Sequence, residues 1–198
     1  MTKIKICGIR RLIDIEYLNE LQPDYAGFIF AKSKRRVDTD LAINLIKNLS
    51  LDIKRVGVFV DEDPAVVLEI AKKLKLQVLQ FHGHENQEYI NKFEGFEIWK
   101  ALKINTLASI CEIKNYKCSK FLLDNSIAGS GESFNWELVQ GKVDGSSIML
   151  AGGLTSENVE NGIAQLKPCG VDVSSGVETQ GFKDYTKIKE FIKKVREL

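Results

Sequence analysis

The chain has 198 residues, 28 Lys and Arg against 27 Asp and Glu, and a net charge of +1. That balance excludes a global field that would draw the chain to nucleic acid or acidic membrane. No apolar run approaches the roughly 20 residues needed to span a bilayer, and Met1-Thr2-Lys3-Ile4-Lys5 lacks the apolar core of a signal peptide. The expectation is a cytoplasmic enzyme built as one domain over residues 1–198.

Short apolar clusters alternate along the chain with longer amphipathic segments. Strands are expected at Ile4–Cys7, Tyr25–Phe30, Arg55–Val60, Gln77–Phe81, Glu97–Leu102, Lys120–Asp124, Ser147–Ala151 and Val171–Val173. Helices are expected at Leu12–Leu21, Thr39–Leu49, Pro64–Leu74, Asn86–Phe93, Thr106–Asn115, Trp136–Gln140, Ser156–Leu166 and Asp184–Arg196. Asp63-Pro64 supplies an N-cap followed by proline at the first helical position, and Thr155-Ser156-Glu157 supplies oxygen caps and an early acid. Eight strand–helix units in series imply right-handed βαβ crossovers. The fold class is α/β, with eight parallel strands closed into a (β/α)8 barrel inside a ring of helices.

Side-chain alternation sorts the strand residues into two faces. The face against the helices should be apolar, so the polar sets Lys5 and Cys7, Gln80 and His82, Leu122 and Asp124, and Asp172 and Ser174 point into the barrel or its mouth. Lys5 and Asp172 inside a barrel would be costly alone, and are expected to neutralise each other. Trp99 and Trp136 are expected in the core.

In a parallel α/β sheet, chemistry is placed at the carboxyl ends of the strands. Cys7, followed by the strand-breaking Gly8, lies there. The other cysteines, Cys111, Cys118 and Cys169, form no C-x-x-C and are expected to pack in the interior. With only two histidines a structural zinc site is not expected, and His82 and His84 have no third ligand cluster beside them. His82 is read as a structural or substrate hydrogen-bonding group. Gly152-Gly153-Leu154 at the end of strand 7 and Asp172-Val173-Ser174-Ser175-Gly176-Val177-Glu178 at the end of strand 8 are either ordinary turns or, at the positions where barrels bind phosphate, a phosphate site. Their glycines admit close approach of backbone to an anion. Lys32-Ser33-Lys34-Arg35-Arg36 after strand 2 is either a solvated charge run or a carboxylate site. Asp124 ends strand 6 ahead of the loop carrying Gly129-Ser130-Gly131, and as a strand-end acid it is either a helix cap or a catalytic group. Asp61 after strand 3 competes for that role, but capping in Asp61-Glu62-Asp63-Pro64 is sufficient to explain it.

Lys5-Ile6-Cys7-Gly8-Ile9, Gly27-Phe28-Ile29-Phe30, Ser33-Lys34-Arg35, Val56-Gly57-Val58-Phe59-Val60, Gln80-Phe81-His82-Gly83, Leu122-Leu123-Asp124, Gly129-Ser130-Gly131, Ala151-Gly152-Gly153-Leu154 and Val171-Asp172-Val173-Ser174-Ser175-Gly176-Val177-Glu178 occur in that order over nearly the whole chain. This series resembles the phosphoribosylanthranilate isomerase family of tryptophan biosynthesis. The resemblance implies an Amadori rearrangement of a phosphosugar substrate by general acid–base catalysis, with no cofactor and no metal. It implies that Cys7 is the general base, Asp124 the general acid and Arg35 the anthranilate carboxylate site. Arg36, where the family often has an aromatic residue, competes for that last role. His82, Gly129, Gly131, Gly152, Gly153, Asp172, Ser174, Ser175 and Gly176 are expected to contact substrate. On this reading Asp124 needs an upward shift of about 2 to 3 units from ~3.9, and Cys7 only a modest lowering from ~8.5. The histidine-pathway isomerase that performs the same rearrangement uses aspartates at strands 1 and 5, where this chain has Cys7 and Trp99-Lys100. A catalytically silent phosphate-binding barrel would not need Cys7 and Asp124.

Overall fold

The computed structural model describes residues 1–124 and 135–198. Eight strands form one closed parallel barrel: β1 (Lys3–Cys7), β2 (Tyr25–Ile29), β3 (Lys54–Phe59), β4 (Val78–Phe81), β5 (Glu97–Lys103), β6 (Lys120–Asp124), β7 (Ile148–Leu150) and β8 (Gly170–Val173). Each strand pairs with the next, and β1 closes on β8 with Lys5 opposite Asp172. Helices α1 (Leu12–Leu21), α2 (Thr39–Lys47), α3 (Pro64–Leu74), α4 (Gln87–Ile90), α5 (Leu107–Cys111), α6 (Val159–Leu166) and α7 (Tyr185–Arg196) surround it.

Alternation along the strands separates two apolar regions. Ile4, Ile6, Phe28, Phe81, Leu123 and Val171 face the helices in the larger one. Tyr25, Val56, Val78, Trp99, Leu122 and Met149 fill the barrel's lower interior. Trp99 is fully buried there, edge-on to Tyr25 at 4.8 Å between ring centroids, with its indole N–H donating to Glu97 at 2.8 Å. The indole nitrogen is thus satisfied and the ring plugs the floor. Trp136 is also buried, as expected.

Several boundaries differ from the sequence expectation. The fourth helix is a single turn, α4, capped by Asn86, whose side chain accepts from Tyr89 N–H. The fifth helix stops at Cys111 and tightens into a 3₁₀ turn over Glu112–Asn115. The sixth is only a 3₁₀ turn, Trp136–Leu138, started by the Asn135 side chain. Helix α6 begins at Val159 rather than Ser156, because Asn158 is spent on a turn: its side chain accepts from Thr155 N–H and donates to Gly153 C=O. Downstream of β8 lies an unanticipated hairpin, β9 (Glu178–Thr179) with β10 (Phe182–Lys183). Gln180 and Gly181, with φ of 53° and 80°, make its two-residue turn. Both central residues lie in the left-handed region, as such hairpin turns require.

The cysteine expectation needs correction. Cys111 is exposed on the outer side of α5, whose one buried residue is Ile110. Cys118 and Cys169 are only half-buried at the amino ends of the strands, where their thiols donate to Lys120 and Ile148 carbonyls. Cys7 alone is buried.

Trp99→Ala should lower stability by about 3–5 kcal/mol, the usual cost of emptying a large buried aromatic site. Urea unfolding measures it, and a loss below about 1 kcal/mol would show that the floor does not depend on this ring.

Candidate active site

Cys7 ends β1 on the inward face, with the sulfur buried and its backbone carbonyl accepting from Ser174 Oγ at 3.0 Å. Beneath it the fully buried Lys5 Nζ lies 2.9 Å from both carboxylate oxygens of Asp172, the interior pair expected from the sequence. Both Asp172 oxygens are thereby engaged, so a sugar hydroxyl meeting this carboxylate shares it with lysine. Burial pushes the Cys7 thiol up, while Lys5 pulls it down and Asp172 opposes Lys5. The net direction is upward, opposite to the lowering expected from sequence, because the desolvation cost of a buried thiolate exceeds the help of nearby cations.

Asp124 ends β6 on the same rim. His82, at the end of β4, places Nε2 3.1 Å from Asp124 Oδ2. The other ring nitrogen is 3.1 Å from the side-chain nitrogen of buried Gln80, which fixes the ring's plane. That contact holds the Asp124 carboxyl against the His82 ring.

Arg35, in the loop after β2, turns its Nε and Nη2 onto Glu178 at 2.8 and 2.7 Å. Glu178 also takes Lys183 Nζ at 2.8 Å. Burial works to raise the Glu178 carboxyl, but Arg35 and Lys183 outweigh it and hold the group below its ordinary value. Glu178 occupies one edge of the guanidinium, leaving the Nη1–Nη2 edge as the face for a second carboxylate. Arg36 is exposed, its backbone bridging to Ile29. Gly8 makes the Arg35 position possible: its φ is 84°, and a Cβ there would lie 2.7 Å from Arg35 Cδ.

Gly152 and Gly153 have φ of 77° and 65°, consecutive left-handed residues after β7. Gly176 after β8 lies so close to this turn that a Cβ would fall 1.9 Å from Leu154 O. The two loops and α7 line a cavity of about 370 Å³ bordered by Gly153, Thr155, Ser156, Glu157, Ser175, Gly176, Lys187 and Glu190. Glycine backbone, hydroxyls and Lys187 can meet an anion there, against the opposing charge of the Glu157 and Glu190 carboxylates. Gly129 and Gly131 lie outside the described residues.

Other contributors were not singled out from sequence. Lys183 in β10 is buried and also donates to Ser174 C=O at 2.9 Å, tying the hairpin to the strand-8 loop. Arg10 and Arg11 donate to Gly181 and Lys183 carbonyls and stack on Phe182, at 4.6 and 4.7 Å from its centroid. Behind His82, buried Glu85 accepts from Asp61 N–H, Gly83 N–H and Lys100 Nζ. Asp63 is the helix cap, whereas Asp61 holds His84 through its backbone N–H and ring nitrogen. Glu178 stood in the resemblance motif, the one signal for it in the sequence; it opens β9, five residues past the end of β8.

Fold and mouth together define an acid–base enzyme of the (β/α)8-barrel class. The chain matches the family described as N-(5'-phosphoribosyl)anthranilate isomerase over residues 4–194. It is 50% identical to the N-(5'-phosphoribosyl)anthranilate isomerase of Thermoanaerobacter sp. (strain X514), covering 99% of this chain and 98% of that protein. It superposes on the phosphoribosyl anthranilate isomerase of Thermotoga maritima with a TM-score of 0.90 and 36% identity, covering 100% of both chains. A phosphoribosyl anthranilate isomerase in complex with reduced 1-(o-carboxyphenylamino)-1-deoxyribulose 5-phosphate matches with a TM-score of 0.88 and 35% identity, again over 100% of both chains. The chain belongs to the N-(5'-phosphoribosyl)anthranilate isomerase family.

Gly8→Ala should cost about 1–3 kcal/mol of stability through the forced backbone conformation. It should also lower kcat/KM at least tenfold by pushing Arg35 off its position, since displacements of about 1 Å cost that much or more. A variant with wild-type kcat/KM would sever the link between Gly8 and Arg35.

Proposed function

We propose that this protein converts N-(5-phosphoribosyl)anthranilate to 1-(2-carboxyphenylamino)-1-deoxyribulose 5-phosphate with Cys7 as general base and Asp124 as general acid. The observation that carries this reading is the convergence of Cys7, Asp124 and the β7–β8 cradle on one end of the barrel. The reaction belongs to tryptophan biosynthesis and uses no cofactor.

The substrate phosphate is held by the Gly152-Gly153 turn and by Ser174, Ser175 and Gly176, which anchors the sugar across the mouth. Its carboxylate meets the open edge of Arg35, while Glu178 and Lys183 hold the guanidinium in place. Asp124 gives a proton to the furanose ring oxygen, and the ring opens to a Schiff base. Cys7 as thiolate removes the proton from C2. The C–H electron pair becomes the C1–C2 double bond, and the C1–N pair returns to nitrogen. The resulting enolamine takes a proton at C1 from solvent and gives up the proton of its C2 hydroxyl to solvent, becoming the C2 ketone. One proton then passes through solvent from the Cys7 thiol to Asp124, and the pair is reset. His82 orients the acid. We place the protein in the cytoplasm, as one barrel domain, where a reducing environment keeps Cys7 free.

Cys7→Ser and Asp124→Asn should each lose about 10²–10⁴-fold in kcat, the usual contribution of a positioned acid or base, with KM changed only a few-fold. Turnover of the fluorescent substrate measures this, and near-wild-type kcat in either variant would remove that residue from its role. Arg35→Ala should raise KM at least tenfold; an unchanged KM would move the carboxylate to Arg36.

A further inference from the structure

The Cys7 sulfur lies beside a buried lysine that the reaction scheme leaves without a task. Lys5 lies two residues earlier on the same inward face, its side chain wholly buried. A Cβ on Gly27 in the neighbouring strand would fall 2.8 Å from Cys7 Sγ and 3.1 Å from Lys5 Cε. Glycine there lets the sulfur and the lysine stem lie side by side. Burial works against the Lys5 charge, but Asp172 and Cys7 outweigh it, and its pKa is raised rather than lowered. Lys5 therefore stays an ammonium across the neutral range, locked in place by two hydrogen bonds to Asp172.

We propose that Lys5 is the counter-ion of the Cys7 thiolate, a positioning residue whose fixed ammonium stabilises the sulfur anion that takes the C2 proton. The proposal rests on Cys7 being the base. Asp172 holds the ammonium in register while the sulfur is a neutral thiol, so no charge has to move when the thiolate forms. In the proton-transfer step Cys7 gains the C2 proton, the C–H electron pair stays with the substrate, and Lys5 keeps all three of its own protons.

Every charged group facing the sulfur bears on this. Lys5 comes from β1, Asp172 from β8, Lys183 from β10 and Arg35 from the loop after β2. Asp172 opposes the thiolate, and Lys183 and Arg35 favour it. Those last two are bound to Glu178, which spends much of their field. Of these four groups, Lys5 favours the thiolate most strongly.

The test is the rate of Cys7 alkylation by iodoacetamide in the ligand-free protein, followed from about pH 6 to 10, around the ordinary thiol range. Mass spectrometry of the Cys7 peptide separates it from Cys111, Cys118 and Cys169. Lys5→Met should move the profile up by at least about one pH unit, which is about tenfold less thiolate at neutral pH. Because that variant strands Asp172 as a buried charge, Lys5→Met/Asp172→Asn removes the pair together. It should show a smaller upward shift, since the opposing carboxylate is gone as well. Lys5→Arg, which keeps the charge, should restore much of the wild-type profile. An unchanged or lowered profile in either folded charge-removing variant would overturn the proposal. The assay requires no turnover, so its failure is separate from a failure of Cys7 as base, which Cys7→Ser reports.

Discussion

A lysine and an aspartate face each other across the seam where the barrel closes, and the arrangement of the mouth depends on that contact. Lys5 and Asp172 occupy matching positions on β1 and β8, so their ion pair joins the first strand to the last. Neither charge would be tolerated alone at that depth: breaking such a pair costs about 3–5 kcal/mol, mostly the penalty of the charge left behind. The pair therefore specifies register as well as closure. A shift of one residue would turn Lys5 toward the helices and Cys7 with it.

Above this seam the site is assembled from strand ends that are far apart in sequence. Gly8 leaves room for Arg35, Arg35 leans on Glu178, and Glu178 is shared with Lys183 from the hairpin after β8. Across the rim, Gln80 and His82 hold Asp124, and the Glu85–Lys100 pair fixes the turn that follows His82. These contacts place buried charge around a thiol that burial otherwise keeps protonated. A dry pocket strengthens each interaction with the reacting groups, and it also raises the cost of forming the anion. Cations held close to the sulfur are the structure's answer to that cost.

Much of this was legible before any coordinates. Strand alternation identified the inward residues Lys5, Cys7, Gln80, Asp124 and Asp172, because a two-residue period leaves only two faces and the helices claim the apolar one. The Lys5–Asp172 pair followed from the same reasoning. What stayed hidden is non-local or a matter of degree. Lys100 faces the helices, where a charge is not expected, and is tolerated only because Glu85 and the Gly83 carbonyl meet it there. Lys183 enters the site through a hairpin whose Gln-Gly turn carries a weak local signal. The direction of the Cys7 shift depends on how completely the thiol is buried, and alternation alone does not report that.

The central claim is that Cys7 removes the proton from C2 of the sugar. A single-turnover experiment with substrate deuterated at C2 tests it most directly, comparing the protein with its Cys7→Ser variant. The account predicts a primary isotope effect that grows when the thiol is replaced, with the C2 deuterium released to solvent. An isotope effect of unity in the Cys7→Ser variant, at an undiminished rate, would contradict it.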